Sequence, residues 1–247
     1  MFNFFTKSKS SSLPPNYQEL GTDMHSHLLP GIDDGSRDME STLSLIRSMQ
    51  ELGYKKFITT PHILWDMYKN TNEIILAKLE EVRKAAKEDG LDVSIYAAAE
   101  YYLDEHVAEL LEEKKPLLTL KDNLVLSEFS LAYPPQGLKD ILFEMQMQKY
   151  VPVIAHPERY IYLERNKEFY DELKDLGCMF QLNLLSLSGH YGKTVQELAN
   201  YLIKKEYYDF IGTDLHGERH LAGLQSKSLT IPLQKLLDTG KIKNHLL

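Results

Sequence analysis

The segment LGTDMHSH, residues 20–27, joins a short apolar run to a His-x-His pair, and similar apolar runs recur along the chain. Longer amphipathic stretches separate these runs, as in proteins that alternate strands with helices. This alternation is typical of an α/β fold in which helices cover a parallel sheet. The seven predicted strands span residues 20–25, 56–60, 93–100, 124–129, 151–156, 178–184 and 207–213.

Between the predicted strands, apolar residues repeat at helical spacing. Ser36, three residues before Met39, predicts a helix start, and Gly53 predicts its end. Periodicity does not separate an open sheet from a closed barrel, but a nucleotide-binding sheet is disfavoured because no Gly-x-Gly-x-x-Gly or Walker motif follows the first strand. The apolar stripes are Ile75, Leu79, Val82 and Ala86; Phe169, Leu173 and Leu176; and Val195, Ala199 and Leu202.

The composition excludes several classes of protein. The 247 residues are 43% hydrophobic and 26% charged, which is too apolar for whole-chain disorder. A formal net charge of −8 lacks the basic footprint of a general nucleic-acid binder, so no nucleic-acid partner is expected. The sequence has no run of about 18 apolar residues, so membrane insertion is not expected either.

The N-terminal segment and the cysteine content bear on domain organisation and location. Residues 1–18 are predicted to form a polar leader without the apolar core of a secretory signal, and residues 19–247 a single domain. Cys178 is the only cysteine, so an intramolecular disulfide is impossible and a reducing compartment is expected. We therefore expect a cytoplasmic protein in which Cys178 is a buried strand residue rather than a nucleophile.

Polar side chains stand at the predicted carboxyl end of nearly every strand, the edge at which (β/α) barrels build their active sites. Since residues i and i+2 of a strand face the same way, His25 and His27 can reach one point, as can Asp214 and His216. Imidazole and carboxylate without thiolate favour Zn²⁺, Mn²⁺ or Fe²⁺, and seven ligands indicate two or three ions. A single histidine is more often a hydrogen-bonded core residue, but five of nine at strand ends favour a metal site. The seven candidate ligands are His25, His27, His62, Glu100, His156, Asp214 and His216.

In this order, these residues resemble the polymerase and histidinol phosphatase (PHP) superfamily, and within it the bacterial capsule-type tyrosine-protein phosphatases of the CpsB or YwqE type. The resemblance runs from about residue 20 to the C-terminal helices and is carried by DMHSHLLPGIDDG (23–35), AEYY (99–102) and IAHPERY (154–160). It implies a distorted (β/α)7 barrel with a trinuclear, manganese-dependent centre, and it adds Asp34 as a ligand. Judged from its residues alone, the segment 33–35 is equally compatible with an ordinary turn.

The resemblance implies a metal-dependent phosphatase that hydrolyses phosphotyrosine, with a bacterial tyrosine kinase controlling capsule or exopolysaccharide synthesis as its partner. Arg159 is expected to bind phosphate, and so is Arg219, although the family carries its second arginine slightly later. His62, His216 or a water would protonate the leaving group, and the sequence does not decide between them. Glu128 is expected to orient a ligand histidine. A homo-oligomer is compatible with the resemblance.

Two alternatives remain open at this point. One is a small-molecule phosphomonoesterase of the histidinol phosphatase type, and the other is a degenerate module that only binds partners, although none of the expected ligands is missing. The segment 64–68 replaces a more basic one in the family, which leaves substrate preference open. Aromatic residues of the rim loops could stack on an aryl phosphate or serve an oligomer interface. They are Trp65, Tyr68, Tyr101, Tyr102 and Tyr133.

Overall fold

The computed structural model describes residues 15–133 and 135–247, and within these ranges nine short strands alternate with eight α-helices. The strands are β1 (Thr22–Asp23), β2 (Lys56–Thr59), β3 (His62–Ile63), β4 (Ser94–Ala97), β5 (Glu100–Tyr102), β6 (Leu124–Glu128), β7 (Val151–Ala155), β8 (Met179–Asn183) and β9 (Phe210–Gly212). The helices are α1 (Met39–Glu51), α2 (Asn72–Glu88), α3 (Glu105–Glu112), α4 (Leu138–Met147), α5 (Glu168–Asp175), α6 (Lys193–Lys204), α7 (Glu218–Leu224) and α8 (Thr230–Leu237).

The strands pair in parallel and form a distorted barrel. One sheet has the order β1-β2-β4, and the other has the order β3-β5-β6-β7-β8-β9. β2 and β3 are successive parts of one position in the barrel wall, which we call a stave, and β4 and β5 are successive parts of another. The nine strands therefore make seven staves. The circle closes where a parallel bridge joins Ser26 to Leu215 and the His27 N–H donates to the Leu215 carbonyl at 2.9 Å. The predicted distorted (β/α)7 barrel is confirmed.

Two of the predicted strands are broken in two. The predicted strand 56–60 is interrupted at Pro61, whose ring nitrogen has no proton to donate to a neighbouring strand. The predicted strand 93–100 likewise ends early, and its last residue, Glu100, begins β5. The carboxyl halves of both staves therefore shift into the second sheet, where His62 pairs in register with Glu100. The register in which β2 and β4 pair Thr59 with Ala97 continues across the break and sets the two candidate ligands side by side.

Helix α1 begins later than predicted. Its N-cap is Asp38, whose carboxylate accepts the Ser41 N–H at 2.8 Å while the Ser41 hydroxyl accepts the Asp38 N–H at 3.2 Å. This reciprocal capping box satisfies N–H groups that the first turn leaves free. Ser36, the predicted start, instead hydrogen-bonds the hydroxyl groups of Ser41 and Thr42. Gly53 lies two residues beyond the end of the helix, close to its predicted end.

The apolar stripes pack as predicted on two helices and differ on a third. Helices α2 and α6 bury every residue of their predicted stripes. Helix α5 buries Tyr170 and Leu173, whereas Phe169 and Leu176 are only partly buried. Both partly buried residues still pack against the core, and Leu176 lies just beyond the helix, which ends at Asp175. Across the described ranges, every helix is too short or too polar to span a bilayer.

The last residues of the predicted polar leader belong to the core. Tyr17 is fully buried and stacks on Tyr54 with ring centroids 5.1 Å apart. Its hydroxyl donates to the Leu224 carbonyl at 2.7 Å, far along the chain. The packed unit therefore begins before residue 19, the predicted boundary. Residues 1–14 of the predicted leader lie outside the described residues.

Cys178 precedes β8 and lies in the core, where its side chain is 2% exposed. Burial raises the pKa of its thiol to about 12, so the reactive thiolate is scarce at neutral pH. These surroundings favour a packing role for the cysteine.

We predict that Ellman's reagent at pH 7 labels essentially no thiol in the native protein and one thiol per chain in denaturant. The reason is that burial excludes the reagent and suppresses the thiolate. Absorbance of the released thionitrobenzoate measures both values. Rapid labelling of the folded protein would contradict the buried position.

Candidate metal centre

Four predicted ligands form a buried cluster at the carboxyl edge of the barrel. His25 follows β1, Glu100 opens β5, His156 follows β7 and Asp214 follows β9, and one ligand atom of each lies within 4.8 Å of the others. His25 Nε2 is 3.2 Å from Glu100 Oε2 and 3.3 Å from Asp214 Oδ1. Two imidazoles and two carboxylates are a donor set suited to Mn²⁺, Fe²⁺ or Zn²⁺.

A second group lies beside the first and opens to solvent. It consists of His27, Asp34, His62 and His216, whose ligand atoms also lie within 4.8 Å of one another. Asp34 Oδ1 is 3.5 Å from His62 Nε2 and 3.4 Å from His216 Nε2. The Asp34 side chain is 52% exposed, so this group faces the solvent from which a substrate would enter.

The third group contains His62, Glu100 and Glu128, and it shares a residue with each of the other two. His62 Nδ1 is 3.2 Å from Glu100 Oε2, and His156 Nε2 is 3.6 Å from Glu128 Oε1. Glu128 was expected only to orient a histidine, but its position makes it a candidate ligand. Shared carboxylates and imidazoles of this kind are compatible with neighbouring ions.

Several histidine rings are held through their far nitrogen. His25 Nδ1 lies 2.8 Å from Gln181 Oε1, and His27 Nδ1 lies 2.7 Å from Asp33 Oδ2. His216 Nδ1 lies 2.9 Å from the backbone carbonyl of Asp214, which can only accept a hydrogen bond. In each case the partner fixes the ring and leaves Nε2 facing the cluster, as in metal sites with oriented histidines.

The cluster concentrates negative charge in the interior. Burial opposes ionisation of Glu100, but His25 and His62 outweigh it and hold the pKa of this carboxyl well below its usual range. Glu128 behaves oppositely, because burial and the neighbouring Glu100 raise its pKa well above the usual value. Burial and the Arg159 charge lower the pKa of His156 to about 4, which keeps that imidazole neutral and able to donate a lone pair.

The polar atoms of the cluster fit bound cations. Glu100 Oε1 and His62 Nδ1 are buried and have no hydrogen-bond partner among the described residues. Leaving such atoms unpaired is costly, and a divalent ion would satisfy them. The oxygen and nitrogen donors, without any thiolate, match the hard or borderline ions named above.

Arg159 contacts a candidate ligand directly. Its Nη1 donates to Asp214 Oδ2 at 2.7 Å, and its guanidinium lies 4.8 Å from the centroid of the Tyr191 ring. Asn183 Nδ2 donates to the same Asp214 oxygen at 2.9 Å, and the Asn183 backbone N–H is accepted by buried Glu158 at 2.9 Å. Asp214 Oδ2 is thus fully engaged, which leaves Oδ1 for the cluster.

Two candidate ligands have an unusual backbone. His156 has φ 33° and Asp214 has φ 53°, both in the left-handed region. A non-glycine residue there costs on the order of 1–3 kcal/mol, and such residues persist where the surrounding structure holds them. The left-handed backbone turns each side chain off the end of its strand into the cluster.

Two glycines allow close approach to the histidines. A Cβ at Gly35 would lie 2.2 Å from the His27 carbonyl oxygen, and a Cβ at Gly212 would lie 2.6 Å from His25 Cβ. Both distances are shorter than real Cβ contacts allow, so any larger residue would displace a ligand. Gly212 lies on β9 and Gly35 in the loop that carries Asp34.

Arg219 lies farther from the buried cluster than Arg159. It is exposed in the first turn of α7 and lines a cavity of about 540 Å³ together with Asp34 and His216. Arg37, which the sequence did not single out, lines the same cavity. His220 also lines it and places Nδ1 2.9 Å from the Asp214 carbonyl.

The expected rim aromatics divide into exposed and buried residues. Tyr101 is fully buried and its hydroxyl accepts the Leu118 N–H at 2.8 Å, so the expectation of a rim position was wrong. Tyr68 stacks on His62 with ring centroids 5.7 Å apart. Trp65 and Tyr133 are exposed, at 36% and 65%. The difference follows from alternation along β5, which turns Tyr101 away from the side that Glu100 faces.

Sequence reasoning missed Gln181 and Asp33, which hold the two histidines of the His-x-His pair. A signal for Gln181 was present, because Gln181 and Asn183 are polar residues at i and i+2 within an apolar run. Asp33 could not be separated from Asp34 without the loop conformation.

Comparisons with known proteins agree with this arrangement. The family model described as "Capsular polysaccharide synthesis, CpsB/CapC" matches residues 21–236. The chain belongs to the CpsB/CapC family. Among curated members, it is 32% identical over 200 residues to the tyrosine-protein phosphatase CpsB of Streptococcus pneumoniae, covering 78% of this chain and 82% of that protein.

Solved structures show the same fold. One is described as YwqE from Bacillus subtilis and CpsB from Streptococcus pneumoniae, metal-dependent tyrosine phosphatases; it matches with a TM-score of 0.75 and 24% identity over 87% of this chain and 92% of that one. A histidinol phosphate phosphatase from Lactococcus lactis is more distant, with a TM-score of 0.53 and 13% identity over 90% and 93%. The fold of this chain is thus nearer to that of the YwqE and CpsB structure than to that of the histidinol phosphate phosphatase.

The Asp33→Asn variant should bind Mn²⁺ about 10- to 100-fold more weakly, because the amide removes the carboxylate that orients His27. Isothermal titration calorimetry with Mn²⁺ on the metal-free variant measures the change. The matched control is Asp238→Asn, an exposed carboxylate near the C-terminus, which should leave the affinity unchanged. Equal affinities for both variants would rule out this role of Asp33.

Proposed function

We propose that this CpsB/CapC family member is a metal-dependent protein-tyrosine phosphatase. Its proposed substrate is a phosphotyrosine protein, in particular a bacterial tyrosine kinase that controls capsule or exopolysaccharide synthesis. The observation that carries the proposal is the set of three candidate ligand groups joined through Glu100 and His62. The similarity to named tyrosine-protein phosphatases over most of the chain supports the same activity.

Eight side chains are proposed as metal ligands, with Glu128 as a further candidate. Mn²⁺ is the proposed ion, two or three per chain, while the donor set also suits Fe²⁺ or Zn²⁺. When bound, such ions activate water at neutral pH and neutralise charge on phosphoryl oxygens. The proposed ligands are His25, His27, Asp34, His62, Glu100, His156, Asp214 and His216.

The arginines are proposed to bind the phosphoryl group. One nitrogen of the Arg159 guanidinium donates to Asp214, and the side chain is 22% exposed. The other N–H groups of the guanidinium can therefore donate to a phosphate oxygen. Arg219 is proposed to do the same from the rim, and Arg37 across the same cavity is a second candidate. Since Arg159 also holds Asp214, its loss should disturb the metal site as well as the substrate.

Two histidines are proposed to help the leaving group. His62 and His216 both belong to the solvent-facing group, with side chains 13% and 20% exposed. A phenolate leaving group has a pKa of about 10, well below that of an alkyl alcohol, so it needs less protonation. Each ring can serve the leaving group only while its Nε2 does not hold an ion, because Nδ1 of His216 is held by the Asp214 carbonyl and Nδ1 of His62 faces Glu100.

A cytoplasmic location remains a proposal, for which the single, buried cysteine is the support. A homo-oligomer is likewise a proposal that rests on the resemblance to the family.

Removing the metal should abolish turnover. After EDTA treatment, kcat/KM for a phosphotyrosine peptide should fall at least about hundredfold, and Mn²⁺ should restore it, because the ions supply both the activated water and charge neutralisation. Phosphate release and metal analysis by mass spectrometry are measured on the same samples. Full activity of a sample shown to be metal-free would refute the proposal.

The substrate range separates this function from the alternative, a small-molecule phosphatase of the histidinol phosphatase type. A phosphotyrosine peptide should exceed the matched phosphoserine peptide by at least about tenfold in kcat/KM, roughly 1.4 kcal/mol, because the phenolate is the better leaving group. Histidinol phosphate should be poorer than the phosphotyrosine peptide. If histidinol phosphate were the best of the three substrates, the alternative would replace the proposed function.

A further inference from the structure

A long groove with acidic walls lies beside the candidate metal centre. Its cavity volume is about 1020 Å³, nearly twice that of the cavity lined by Arg37 and Arg219. Exposed apolar side chains form part of its lining, with Trp65 at 36%, Met67 at 67% and Tyr133 at 65% exposure. Five carboxylates line it as well: Asp66, Asp104, Glu105, Glu109 and Asp140. We call this cavity the acidic groove.

Three strands that carry candidate ligands lead directly into the lining of the acidic groove. β3 carries His62 and leads into Trp65 and Asp66. β5 opens with Glu100 and leads into Asp104, while β6 ends at Glu128, close before Ser130 in the groove wall. The same strand ends that deliver the third ligand group therefore continue into the groove. A polypeptide with a side chain at the metals can extend along it.

Among the described residues, the carboxylates of the acidic groove have no lysine or arginine partner, and the basic ring in the lining, His106, stacks on Trp65 with ring centroids 4.0 Å apart. In residues 15–133 and 135–247, no ion pair within 4.0 Å engages any of the five. Of the described lining residues, none is lysine or arginine. The nearby Lys139 is committed to Glu172, and Lys69 packs over the Trp65 ring at 5.8 Å without lining the groove. Asp104 caps α3 by accepting the Val107 N–H at 3.1 Å, and the other four carboxylates are available to attract a cationic ligand.

Apolar area and charge together indicate one kind of occupant. Exposed Trp, Met and Tyr side chains favour contact with a peptide, because their apolar surface is then removed from water. Unpaired carboxylates favour the aliphatic and cationic side chains of lysine and arginine, and they repel acidic ones. The like charge of these carboxylates repels a phosphate, whereas Arg159 at the candidate metal centre and the arginines of the cavity lined by Arg37 and Arg219 attract it.

We propose that the acidic groove binds basic residues that flank the phosphotyrosine in the substrate polypeptide. This inference rests on the proposed tyrosine-phosphatase function and specifies the substrate class. The groove selects phosphotyrosine sites with lysine or arginine nearby and disfavours sites with glutamate or aspartate. The expected preference for a lysine-flanked over a glutamate-flanked peptide is about tenfold in kcat/KM at low ionic strength, and it declines as salt screens the charges.

The test uses the Mn²⁺-loaded full chain and two phosphotyrosine peptides that differ only in two lysines or two glutamates beside the phosphotyrosine. The ratio of their kcat/KM values is measured for wild type and two variants. The groove variant combines Asp66→Asn, Glu109→Gln and Asp140→Asn, all exposed lining residues. The control combines Glu51→Gln, Glu88→Gln and Glu164→Gln, which change the net charge equally outside the groove.

The wild-type and control ratios should be about ten, and the groove variant should bring the ratio to within about twofold of one. A wild-type ratio near one would overturn the inference, as would an equal fall in both variants, since that would assign the effect to net charge. Wild-type turnover of 4-nitrophenyl phosphate distinguishes a failure of the proposed phosphatase function from a failure of the groove inference alone. If neither the peptides nor that ester is hydrolysed, the proposed function and this inference both fall; equal hydrolysis of both peptides removes the inference alone.

Discussion

The buried carboxylate of Glu100 is the feature on which the metal centre depends. It is fully buried, and imidazole nitrogens of His25, His27, His62 and His156 lie 3.2–3.4 Å from its oxygens. An isolated carboxylate in the interior costs several kcal/mol or more, so it persists only with compensating partners. The four rings come from three staves, because His25 and His27 both follow β1, and their approach to one residue links these staves at the carboxyl edge of the barrel. Because this carboxylate belongs to two ligand groups, its position sets the spacing between them.

The barrel is distorted beside the candidate ligands. Pro61 has no N–H to donate, although its carbonyl still accepts the Glu100 N–H at 3.1 Å, and the next segment restarts in another sheet with His62 opposite Glu100. The register in which β2 and β4 pair Thr59 with Ala97 is unchanged across this break, so it is the continued register that sets His62 opposite Glu100. Left-handed backbone at His156 and Asp214 serves the same end on the opposite side of the barrel. Two of the six described non-glycine residues with positive φ are thus candidate ligands.

Charge is distributed unevenly around the centre. Carboxylates dominate the buried cluster, with Arg159 as a neighbouring cation, whereas Arg37 and Arg219 flank one side and the acidic groove occupies another. Divalent ions would turn the carboxylate cluster into a site that attracts phosphate. The remaining acidic surface would then discriminate among the residues around that phosphate. In the proposed function, attraction at the metals and selection at the groove would thus act on different parts of one substrate.

The sequence by itself determined the alternation of strands and helices, the polar residues at strand ends and the resemblance to the CpsB/CapC type, because these are local or ordered along the chain. It could not determine that Glu128 joins the ligand groups, that Tyr101 is buried, or that Gln181 and Asp33 hold the His-x-His pair. Those contacts join residues whose distance depends on where each stave breaks and how the barrel closes. Only the tertiary structure decided them, since a shift of one residue in register turns a side chain to the opposite face.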